Sequence, residues 1–133
     1  MSHLIPQFIS NHARLFREGR LEEMLDDCAY PLAVQDTTGM KVLQDRAEYL
    51  RWLQRWQSSF GARAMSESHM KIHTLELPRA GRFRVWIERR FENPARGARF
   101  DMSVIYYCRL EGRRPLIEMI ELDIPGPPSA NDA

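Results

Sequence analysis

The chain has 133 residues, 44% of them hydrophobic and 28% charged, with a formal net charge of +1. That length supports one domain whose core needs no staples, and the near-neutral charge excludes a field that would recruit nucleic acid or an anionic membrane. Cys28 and Cys108 form no CxxC pair, and no apolar run approaches a membrane span or a secretory leader, so the expectation is a cytoplasmic protein with reduced thiols.

Leu4, Ile5, Phe8, Ile9, His12, Leu15 and Phe16 recur at helical spacing, which predicts a first helix with one apolar face. Pro6 fits its first turn, and Gly19 suits its end. Leu21, Met24, Leu25 and Cys28 repeat the stripe on a short second helix, which Pro31 closes. Tyr30–Asp36 and Met40–Leu43 read as two short strands around Thr37, Thr38 and Gly39. Asp45, with Glu48 three residues on, caps a third helix. Its stripe is Tyr49, Trp52, Leu53, Trp56 and Phe60, and Gly61 ends it.

Ser66–Leu77 is a less apolar strand, followed by a turn over Pro78–Gly81. Arg82–Phe91, Arg99–Leu110 and Leu116–Ile124 are rich in β-branched and aromatic residues, and Asn93, Pro94, Gly97, Gly112 and Pro115 separate them. The order ααββαββββ indicates an α+β fold: a curved antiparallel sheet packed on three helices from the first half of the chain. Residues 1–124 form a single domain, and residues 125–133 form a flexible Pro-rich tail.

The stretch Arg17 to Asp27 (REGRLEEMLDD) ends one helix in a small-residue turn and restarts as a leucine-bearing second helix. Val34 to Gly39 (VQDTTG) supplies a strand and its turn. With the element order, these resemble the nuclear transport factor 2-like superfamily, which includes SnoaL-like cyclases and ketosteroid isomerase, over residues 4 to 124. The resemblance implies a cone of helices and curved sheet enclosing a pocket, and a dimer formed through the outer sheet face. Enzymes, binders and scaffolds all use that cone.

Residue by residue, the ketosteroid isomerase branch has a general-base aspartate at the position of Asp36. The alternative reading of Asp36 is turn chemistry before Thr-Thr-Gly. The branch's helix 1 tyrosine, an oxyanion donor, aligns with His12. That residue is either such a donor or a core histidine satisfied by a neighbour. The second oxyanion group, an aspartic acid in the branch, falls near Tyr106, so a standard isomerase constellation is absent. Tyr106 is either a hydroxyl donor or core.

Period two places Glu118 with Leu116, Ile120, Leu122 and Ile124, as a pocket acid or the partner of an arginine. Phe16, Trp52, Trp56 and Val104 are the expected pocket walls. His69 and His73 would lie about 13 Å apart on a strand, so no metal is expected. On the strand from Arg82, Phe83, Val85, Ile87 and Phe91 face inward, and Trp86 faces outward among Arg84, Glu88 and Arg90, which suits a partner surface.

Three functions follow. The leading one is a SnoaL-like small-molecule pocket protein acting on a hydrophobic carbonyl compound by cofactor-independent acid–base isomerisation, cyclisation or lysis. The others are a non-catalytic binder using the same pocket, and a homodimeric interaction module whose pocket is filled by its own side chains. A cavity volume separates the third from the first two.

Overall fold

The computed structural model describes residues 4–128. The amphipathic first helix, α1, spans Leu4–Arg17 and buries Ile9, His12, Ala13 and Leu15. Gly19 follows in the left-handed conformation, where a side chain would be strained. The second helix, α2, is only Leu21–Met24 and passes into a 3-10 turn over Leu25–Asp27. The predicted helix through Cys28 is therefore cut short. Cys28 instead opens strand β1, Cys28–Asp36, and pairs with Ile117 across the sheet. Pro31, expected to close the helix, lies inside β1 where the ladder to its neighbour is irregular, between Cys28 and Ala33. A residue without an N–H is tolerated there.

Strand β2, Gly39–Leu43, returns as a hairpin. Helix α3, Arg46–Ala62, starts at Asp45, whose carboxylate accepts the Glu48 N–H at 3.0 Å. Four strands complete the chain: β3, Ser66–Leu75; β4, Arg82–Asn93; β5, Ala98–Glu111; and β6, Arg114–Leu122. The six-stranded sheet has the order β2-β1-β6-β5-β4-β3. All pairings are antiparallel except β1 with β6, so the sheet is mixed. Parallel partners need a long crossover, and here everything from β2 to β5 lies between them.

The expected α+β architecture is present: helices cover one face of a curved sheet. The core runs from Ile9 and Leu15 on α1, through Tyr49, Trp52, Trp56 and Phe60 on α3, to Val85, Ile87, Val104 and Ile120 on the sheet. The Phe60 and Phe91 rings stack at 4.1 Å between centroids, tying the end of α3 to β4.

Of the expected Pro-rich tail, residues 125–128 lie against β1 and α3, and residues 129–133 fall outside the described residues. The Thr37 N–H donates to the Ile124 carbonyl, and Arg55 on α3 donates to the carbonyls of Pro127 and Pro128. No described helix is long and apolar enough to cross a membrane.

Candidate functional site

Between α3 and the inner sheet face lies a cavity of about 30 Å³, walled by Phe16, Tyr49, Trp52, Trp56, Val104 and Tyr106, with Arg89 at its edge. That volume holds a water molecule or two, not an organic ligand. The aromatic stripe itself fills the cone: Tyr49, Trp52, Trp56 and Phe60 contact one another in series, with ring centroids 5.7–6.1 Å apart. Phe16, Trp52, Trp56 and Val104 line this cavity and leave almost no space between them.

Two polar systems border the cavity. In the first, His12 is 1% exposed and bridges Asp27 and Tyr49. Its Nδ1 lies 2.8 Å from the Asp27 carboxylate and its Nε2 lies 3.2 Å from the Tyr49 hydroxyl. Burial pushes the Tyr49 hydroxyl well above its ordinary range, so it stays protonated. The His12 ring also meets the Tyr106 ring edge-on at 5.7 Å. Burial raises the Tyr106 hydroxyl to about 12. The His12 and Tyr106 rings are thus in contact, while the His12 nitrogens are taken by Asp27 and Tyr49.

The second system is Arg89 with Glu67. Period two along β4 turns Arg89 inward, between Ile87 and Phe91, and the β3 partner turns Glu67 to meet it. The guanidinium donates through Nε at 2.7 Å and Nη2 at 3.2 Å, and both side chains are almost fully buried. Burial alone would lower the Arg89 pKa, but the Glu67 carboxylate outweighs it and holds the charge in place. The guanidinium also lies over the rings of Phe16 and Phe91, at 5.4 and 5.3 Å.

Asp36 is not part of the cavity wall. It ends β1 at the hairpin, where its Oδ1 accepts from the Thr38 amide at 2.7 Å and from the Thr38 hydroxyl. Burial pushes its carboxyl up, but the Thr38 bonds, with help from Lys41 and Gly39, outweigh it and hold the carboxyl below the usual range. Such a group is a weak base. Its Oδ2 is buried without a hydrogen-bond partner, as is the indole nitrogen of Trp52.

Glu118 also lies away from the cavity, bound by Arg82 at 3.1 Å and Arg109 at 3.4 Å. The cause is a bulge in β6. Met119 pairs with Tyr107 and Ile117 pairs with Cys108, which leaves Glu118 as the extra residue. Neither strict parity of that strand survives: Pro115, Ile117, Ile120 and Leu122 are the buried positions.

The interior groups missing from the sequence reading are Arg89, Glu67, Tyr49 as a polar group, and Asp27. For Arg89 the signal was present, since it alternates with Val85, Ile87 and Phe91. Among the described residues no three His, Cys, Asp or Glu side chains are placed to hold a metal ion. A larger hollow of about 290 Å³ lies over outward-facing His69, Glu88 and Arg90, but it is open and polar, and its Arg90–Asp101–Arg99 charges already pair with one another.

The outer sheet face has a pattern of its own. Reading across the ladders, Trp86, Ile105, Glu121, Gln35 and Met40 form one row, and Arg84, Tyr107, Met119, Ala33 and Val42 form the next. Apolar side chains dominate both rows, and Met40 and Val42 are 58% and 45% exposed. Arg84 stacks over the Trp86 ring at 4.8 Å.

No protein-family model and no curated protein matches the chain. Solved structures do. A nuclear transport factor 2-like protein with a cystatin-like fold from Novosphingobium aromaticivorans aligns with a TM-score of 0.73 and 11% identity, over 98% of this chain and 85% of that one. Aln2 from a Streptomyces species aligns with a TM-score of 0.68 and 11% identity, over 92% and 89%. A candidate calcium/calmodulin dependent protein kinase II association domain from Xanthomonas campestris aligns at 0.65 and 10% identity, over 94% and 88%. At these identities the likeness shows the fold: the chain has the nuclear transport factor 2-like, cystatin-like fold.

Proposed function

We propose that this nuclear transport factor 2-like chain is a homodimeric interaction module whose cone is filled by its own side chains. The observation that carries this reading is the cavity of about 30 Å³, since ligand pockets are typically about ten times larger or more. Support for the dimer comes from the outer sheet face, whose two apolar rows cross five strands, roughly 19 Å at the usual strand spacing. Trp86 is the kind of anchor that dominates such interfaces, and an isologous contact sets the patch against its own copy. The similar fold described as an association domain agrees with assembly. The test is light scattering on wild type and Trp86→Glu. The expected result is a dimer that the substitution converts to monomer; a monomeric wild type overturns the reading.

A second reading is favoured by the polar groups at the cavity wall. Here the cone opens to admit a hydrophobic carbonyl compound, Tyr106 and His12 act as proton donors, and Phe16, Trp52, Trp56 and Val104 grip the ligand. The unpartnered Trp52 indole N–H supports it, as a donor awaiting an acceptor. Turnover of an enolisable ketone by wild type, lost in Tyr106→Phe, would establish it; inertness across such a panel would eliminate it.

A further inference from the structure

After β6 the chain lies against the β1–β2 hairpin at Thr37 and Asp36 and against Arg55 of α3. Three features of that seat act together. Arg55 donates through Nη2 to the Pro127 carbonyl at 2.7 Å and through Nε to the Pro128 carbonyl at 3.2 Å. Pro127 is buried. Gly126 lies against Asp36 so closely that a Cβ there would sit 2.6 Å from Oδ2. The carboxylate cannot easily swing away, because its other oxygen is held by the Thr38 amide and hydroxyl.

This is a set of contacts matched to one sequence. Proline has no N–H, so a Pro-Pro segment offers a receptor only its carbonyls and ring faces. The Nε–Nη2 edge of a guanidinium presents two donors side by side in a fixed fork that suits two successive carbonyls, a geometry the rotatable ammonium of a lysine does not hold. The residue before the pair must lack a Cβ to pass Asp36. The folded core, not the tail, supplies all three requirements.

We propose that this seat is a recognition site for Gly-Pro-Pro segments of proline-rich peptides, and that the chain's own tail occupies it as an intramolecular ligand. The site is built on Arg55 and Asp36, neither of which belongs to the outer rows, and the proposal does not depend on dimerisation. A tethered segment acts at an effective concentration of order millimolar, so a free peptide displaces it only where the tethered copy is weakened.

The experiment uses the full chain and a fluorescein-labelled, capped peptide of sequence Ile-Pro-Gly-Pro-Pro-Ser, read by fluorescence anisotropy. Gly126→Ala disturbs the tethered copy at the Asp36 contact. Pro127→Ser, a second variant, loosens it without adding bulk at that point. Each is expected to bind the peptide at least ~10-fold more tightly than wild type does. Adding Arg55→Lys to either variant is expected to remove that gain, and so is replacing glycine by alanine in the peptide. If both variants, folded by circular dichroism, bind no more tightly than wild type, the proposal is overturned. An alanine peptide that binds as well as the glycine peptide overturns it too.

Discussion

A guanidinium buried against Phe16 and Phe91 is tolerable only because Glu67 meets it with two hydrogen bonds. Removing one partner of such a pair strands the other charge. Glu67→Gln is therefore expected to lose about 3–5 kcal/mol of stability in urea unfolding, even though it changes few atoms. Asp36 gives a pH-dependent counterpart. Its folded-state pKa lies below the ordinary value, so its contribution to stability is present above the unfolded pKa of about 3.9 and is lost as pH falls through the folded value. Thr38→Val removes the hydroxyl donor. The Asp36 titration followed by NMR is expected to move upward, and the stability gap to wild type should be full at pH 7 and close in acid. An unmoved titration contradicts the role given to Thr38. At this scale the sequence was informative for His12 and Tyr106, which sit on the faces their periodicities assign. Arg89 was equally readable from its period, yet its charge argued against burial until Glu67 could be placed across a strand pair. Glu118 was not readable, because a one-residue bulge resets which side chain faces the core.

Helix α3 carries most of the cone's filling, and both its start and its stripe were legible. Asp45 provides the cap, and Tyr49, Trp52, Leu53, Trp56 and Phe60 are all buried. Asp45→Ala is expected to cost about 1 kcal/mol, measured as a lower denaturation midpoint with unchanged slope. A change of slope would mean that the cap shapes more than the helix end. The second helix was less legible. Its stripe through Cys28 fits a helix, but Cys28 is captured by Ile117 on β6, a pairing 89 residues away in sequence that local spacing cannot reveal. The same long-range pairing makes the sheet mixed.

For the molecule as a whole, the fold was legible from element order, and the filling of its cone was not. Periodicity marks Trp52 and Trp56 as inward but does not say whether inward side chains meet each other or a ligand. Here they meet each other. The most direct measurement is calorimetric titration of indole into wild type and Trp56→Ala. Removing Trp56 from the stacked series leaves a hole of indole size, at a cost of about 3–5 kcal/mol in stability. The expected result is one indole bound per chain in the variant and no heat of binding in wild type. Saturable binding of indole by wild type, as tight as in the variant, would contradict a filled cone and return the protein to the ligand-binding reading.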